Sequence, residues 1–253
     1  MKHLIKFAAV IAVALTFTQN AQAQAYPDPA TGDGGALIVS IWDTQLGVSL
    51  VYAIPGVFYQ DLVDGTFGQT NFETAIPQFS TIFSESDSAN LLYQVTATGP
   101  DAINGRGALY TTGGDTLPSV TSGNIAGTFQ NSQAFYFQLD STCGADPVCP
   151  AANSQAGTFA GSATWGDLTA QLPFSAATGV GFALNFYSLT QNTASRIRPT
   201  DPAEVGPAAP GASWFLSADG LLSYTVVPVP AAIWMLISGL LGFGAISRRK
   251  QAA

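Results

Sequence analysis

Histidine is almost missing from this chain: there is one, His3, at the extreme N-terminus. Around it, residues 1–23 read as a secretory signal. Lys2, His3 and Lys6 give a basic start, and residues 7–17 (FAAVIAVALTF) form an apolar stretch too short to span a bilayer comfortably. Ala21-Gln22-Ala23 then supplies a small-x-small cleavage pattern, with Ala23-Gln24-Ala25 as the second choice. Removal of the signal takes the histidine with it. Ser-His-Asp and Cys-His nucleophilic machinery, and metal sites that need imidazole, are thereby excluded from the exported part.

Lysine is the second shortage. None lies between Lys6 and Lys250, and the only cations in that interval before the C-terminal run are Arg106, Arg196 and Arg198. All sixteen acidic residues fall between Asp28 and Asp219, so three cations face sixteen acids for a net of −13. Such a surface repels the phosphate backbone, so nucleic acid is not an expected partner. Cysteine is scarce too. Cys143 and Cys149, in "CGADPVC", are the only two, and in an exported chain their reading is a local disulfide. Five intervening residues match neither a C-x-x-C redox pair nor a zinc spacing.

Motifs for nucleotide or acyl chemistry are missing as well: no Gly-x-Ser-x-Gly elbow, Walker loop or dinucleotide fingerprint occurs. Two carboxylates could hydrolyse a glycoside without histidine, and Glu85 and Asp87 in "SESDS" are the nearest such pair, but a Ser-rich stretch reads as a solvated loop. The EF-hand ligand spacing is absent. Trp42, Trp165 and Trp214 could stack on sugars, although rings in a β-protein are more often core. Arg196 and Arg198 could grip an anion or offset Asp201 and Glu204. No catalytic residue, metal ligand or cofactor is assigned.

What is present is the composition of short strands and turns: 26 glycines, 15 prolines and many Ser, Thr and aromatic residues. The expected class is mainly β, a single antiparallel sandwich-like exported domain with one helix near 121–140, plus a C-terminal transmembrane helix. Residues 24–35 read as a linker and 36–227 as the β-rich domain, with 228–250 as the sorting and anchoring segment. Strands are expected at 36–43 and 48–54, joined as a hairpin, with Pro55-Gly56 as the next turn. Further strands fall at 90–98, at 108–112 after the Asn104-Gly105 turn, in "GTFAGSATWG", and at 179–190. In the last, Phe182, Leu184 and Phe186 alternate as on a half-buried strand. A closing hairpin turns at Asp219-Gly220. Between 121 and 140, Ile125 and Phe129 have helical spacing, and the helix should stop before Cys143. The stretch 193–211 is rich in Pro and Ala and reads as a loop.

The most specific stretch is "VPVPAAIWMLISGLLGFGAISRRK", residues 227–250. Residues 231–246 are all apolar or small, a helix of roughly 24 Å at about 1.5 Å per residue. Adding 226–230 brings the run to a spanning length, and prolines are tolerated in a first helical turn. Arg248, Arg249 and Lys250 act as a stop-transfer signal and fix the cytoplasmic side. The paired prolines, Trp234, the "SGLLGFGA" stretch and the "RRK" end together resemble the PEP-CTERM protein-sorting domain, in its Val-Pro-x-Pro-Ala variant. Pro228 and Pro230 match the motif prolines, Ala231 follows them, and Val229 stands where the eponymous Pro-Glu-Pro has glutamate. Upstream, "GALIVSIWDTQLGVSLVY" and "GVGFALNFYSL" look like the ectodomains that precede such tails.

The resemblance implies a substrate of an exosortase, a membrane-embedded, cysteine transpeptidase-like enzyme of Gram-negative bacteria. Such substrates are exported, held transiently in the inner membrane by the C-terminal helix, and cut near the motif. It further implies a context of extracellular polysaccharide. The expected partners are therefore the membrane, an exosortase-type enzyme and polysaccharide. The expected role is a cell-surface or extracellular-matrix component, structural or adhesive and not enzymatic. A carbohydrate-binding module and a carboxylate-dependent hydrolase are the alternatives.

Overall fold

A computed structural model describes residues 24–67, 70–100, 107–114, 120–151, 177–191 and 202–226. They form a mainly β, antiparallel structure. β1 (Ala36–Asp43) and β2 (Ser49–Phe58) make the expected hairpin, followed by the short helix α1 (Tyr59–Val63). β3 (Phe72–Ala75) and a single turn of helix, α2 (Phe79–Ile82), lead to β4 (Leu91–Pro100) and β5 (Gly107–Gly113). The long helix α3 (Ser122–Cys143) comes next, then β6 (Val148–Ala151), β7 (Thr178–Gly179) and β8 (Ala183–Thr190). β9 (Glu204–Pro207), β10 (Ser213–Leu216) and β11 (Leu221–Thr225) complete the described part.

These strands join one sheet in the order β3-β11-β10-β8-β5-β4-β1-β2-β6, with β7 also on β4 and β9 on β8. β1 lies inside it, paired with β2 and β4, and all eight of its residues are buried. A strand covered on both faces needs a near-continuous apolar run, and "ALIVSIWD" is one. Its odd positions Leu37, Val39 and Ile41 share a core with Leu50 and Tyr52 of β2 and with Trp214, Leu222 and Tyr224 of β10 and β11. Strands far apart in the sheet order thus meet over a common core, which requires the sheet to curl over on itself. The even positions Ala36 and Ile38 face a second core with Val51, Ala53, Leu109 and Leu189, covered by Ile125, Phe135, Tyr136 and Leu139 of α3.

The helix near 121–140 is therefore present, and its limits have local causes. Thr121 Oγ1 accepts from the Asn124 amide (3.3 Å), and Asn124 Oδ1 accepts from the Thr121 amide (3.0 Å), so two donors at the helix start are satisfied reciprocally. At the other end Gly144 takes φ +59 and donates to Asp140 O. The helix runs through Cys143 rather than stopping before it.

Three local expectations need correction. Pro55-Gly56 does not end β2: the strand continues to Phe58 across a register shift, with both residues bulged into solvent. Proline has no N–H to pair, and Gly56 accepts φ +70 without cost, so the pair makes a bulge instead of a turn. Phe182 does not continue the alternation of Leu184 and Phe186; it precedes β8 and is 66% exposed. Within the stretch read as a loop at 193–211, the segment Glu204–Pro207 forms β9, because β8 offers it a free edge. Residues 24–35 contain no strand or helix, but they are fastened to the body. Tyr26 is buried, Gln133 Nε2 donates to Asp28 Oδ1 (2.9 Å), and the Gln60 amide donates to Asp33 O.

Close approach explains one glycine. A Cβ on Gly99 would lie 2.1 Å from Cδ1 of Tyr59, so the ring of Tyr59 can rest on β4 only because residue 99 lacks a side chain.

Candidate functional site

The concave side of the sheet is filled by rings. Trp214 is fully buried and lies 4.8 Å from Tyr224, 5.8 Å from Phe186 and 6.2 Å from Phe67, centroid to centroid. Phe72 of β3 closes the group edge-on to Phe67 at 5.3 Å. Trp42 is also buried. Two of the three tryptophans considered for sugar stacking are thus core, and Trp165 lies outside the described residues.

Buried tyrosines tie this interior to the backbone. Tyr93 donates its hydroxyl proton to Phe182 O (2.7 Å) and Trp214 O (2.9 Å), linking β4 to the start of β8 and to β10. Tyr26 donates to Pro147 O (2.7 Å), and Tyr136 of α3 donates to Ala36 O of β1. Burial pushes the phenols of Tyr26, Tyr93, Tyr110 and Tyr136 up, and that of Tyr224 up to about 12. Tyr26, Tyr93, Tyr110 and Tyr136 are thereby kept protonated and donate to backbone carbonyls.

The carboxylates do not assemble into a catalytic pair. Glu85 and Asp87 are both exposed on the loop before β4, and Asp87 accepts from the Ala89 amide (3.0 Å), capping the 3-10 turn Ser88–Asn90. The carboxylate of interest is one that sequence reasoning passed over. Asp43, at the end of β1, is 1% exposed, and its Oδ1 accepts from the amides of Gln45 (2.7 Å) and Leu46 (2.8 Å). Burial raises its pKa, but the facing Ser86 hydroxyl and the Leu46 and Gln45 amides outweigh this and hold it below the usual aspartate value. Of these contacts the two amide bonds are closed, while Asp43 Oδ2 and Ser86 Oγ each lack a partner at hydrogen-bonding geometry. The signal for Asp43 was its place before "TQLG": an Asp that caps the turn of a hairpin.

Among the described residues no group of three His, Cys, Asp or Glu side chains could hold a metal ion. Nor do they include any lysine, arginine or histidine. Cys143 and Cys149 are bonded, with Cα atoms 5.7 Å apart, joining the last residue of α3 to β6. Pro228, Val229, Pro230, Ala231, Arg248, Arg249 and Lys250 lie outside the described residues, as do Arg106, Arg196 and Arg198, and the signal at 1–23. Among the described residues no helix is long and apolar enough to cross a membrane.

Two depressions stand out on the described surface. One of about 110 Å3 is lined by Ala36, Ala53, Pro55 and Phe58, and one of about 210 Å3 by Pro27, Thr31, Asp33 and Phe58; Gln24 borders both. Each is smaller than the roughly 300–1,000 Å3 of a pocket that encloses an organic ligand.

No protein-family model, curated protein or solved structure matches the chain.

Proposed function

We propose that this chain is an exported surface or matrix protein: a sandwich-like β-body delivered by a signal peptide and a C-terminal sorting helix. Its role is structural or adhesive and not enzymatic. The observation that carries the reading is the disulfide between Cys143 and Cys149, a bond that persists in oxidising compartments. The proline-paired segment 227–231 supports it by its position: β11 ends at Thr225, so the motif follows the folded body almost at once. While the helix 231–246 is held in the inner membrane, the body lies on the periplasmic side. Cleavage near Pro228–Ala231 by an exosortase-type enzyme then frees it for the cell surface or the matrix, where polysaccharide is its candidate partner.

The carbohydrate-binding and hydrolase alternatives have less behind them, given the buried Trp42 and Trp214 and the solvent-facing Glu85 and Asp87. C-terminal mass spectrometry of the protein recovered from membranes and from the cell surface tests the proposal. Membrane material should retain Arg248, Arg249 and Lys250, and surface material should end near residues 228–231. An intact basic end on all surface material would rule out sorting by cleavage.

A further inference from the structure

The chain enters the body within two residues. Gln24 is exposed, Ala25 is partly buried against the helix-side core, and Tyr26 is 1% exposed with its hydroxyl bonded to Pro147 O. These positions separate the two expected signal cuts. Cleavage after Ala25 would place a charged α-ammonium on Tyr26, a residue whose side chain is packed into the body, where an ion is poorly hydrated. Cleavage after Ala23 leaves the new terminus on Gln24, in solvent, and glutamine is the residue able to close on its own α-amine.

We propose that Gln24 is converted to an N-terminal pyroglutamate, an inference that rests on the export reading above. The uncharged α-amine attacks the side-chain amide carbon, a lactam C–N bond forms, the bond to the amide nitrogen breaks, and ammonia leaves with the transferred proton. No oxidant or co-reactant is needed. The surroundings suit the product. Gln24 borders both depressions, and the smaller one, about 110 Å3, is walled by Ala36, Ala53, Pro55 and Phe58. A compact neutral ring can settle against these apolar groups, whereas an ammonium would have to remain hydrated. The modification closes the terminus to aminopeptidases.

The test uses the full-length chain with its own signal, produced in a Gram-negative host beside a Gln24→Asn variant, whose shorter side chain cannot close the five-membered ring. Both are recovered from the envelope and held overnight at about pH 8, where roughly half of an α-amine is uncharged. Mass spectrometry then reads the N-terminal peptide. The expected wild-type product starts at residue 24, is lighter by one ammonia, and resists stepwise N-terminal degradation until treated with a pyroglutamyl aminopeptidase. The variant should start at the same residue with a free amine. Wild-type protein that starts at Gln24 with its amine intact overturns the inference and leaves export standing, as does a start at Tyr26. A chain that still begins at Met1 overturns the export reading itself.

Discussion

Asp43 closes the β1–β2 hairpin from a buried position, holding two amides of the turn with one oxygen. Replacing it by alanine leaves both donors without that partner, and Asp43→Ala should cost about 1–3 kcal/mol in urea unfolding. The pH dependence has a definite sign. Because the folded pKa is lowered, the stabilisation is fully present above the unfolded value near 4 and is lost as pH falls through the folded value. The gap between wild type and variant should therefore narrow below about pH 4. An unchanged gap at low pH would show that the carboxylate charge contributes nothing. The Asp was legible as a turn residue, but its burial was not, because that depends on the 84–90 loop folding over it. Phe182 failed for a related reason: alternation identifies a strand's faces but not its first residue, and here a turn at 180–182 delays β8 to Ala183.

At the scale of elements, what the sequence determines locally came through. The apolar run of β1, the hairpin to β2 and the Asp219-Gly220 turn follow from patterns a few residues long. β9 and the bulge in β2 do not. Each depends on the strand it pairs with, β1 through Ala36 opposite Phe58 and β8 through residues 187–190, and not on the few residues of its own segment. The joint between α3 and β6 is the element-level feature open to test. The disulfide fixes the C-terminal end of the helix to an edge strand across the short loop after Gly144. A Cys143→Ser, Cys149→Ser double variant should lose roughly 2 kcal/mol. Its amide exchange should quicken first in the last turn of α3 and in β6. Uniform acceleration throughout the sheet would mean that the bond secures the whole body and not this joint.

At the scale of the whole molecule, the described residues include acids but no cations, so no ion pair forms among them. Cohesion comes from two apolar cores and from phenol donors, and this sets the pH response. The body from 24 to 226 has no histidine and no free thiol. Tyr26, Tyr93, Tyr110, Tyr136 and Tyr224 all have raised pKa values from burial, so their stabilising share is intact below the unfolded value near 10. It is lost as pH climbs through the folded values. Thermal stability should fall steeply above about pH 10, with tyrosinate absorbance rising together with loss of the β signal in circular dichroism. Tyrosinate forming well before unfolding would place these phenols in solvent. The β class was legible because it rests on composition and short-range alternation. The strand order was not, since nothing near β3 announces that its partner is β11.

That pairing orders events in time. A polypeptide leaves the ribosome N-terminus first, so β3, made early, has no neighbour until residues 221–225 have been synthesised. Phe72 waits nearly as long for Trp214, a neighbour in the ring cluster. The stitch that finishes the sheet is thus drawn at the last moment before the proline pair at 228 and 230 emerges. A chain cut short anywhere ahead of Leu221 lacks both its closing strand and the segment proposed above as its sorting signal, so on that proposal an incomplete body never carries the tail.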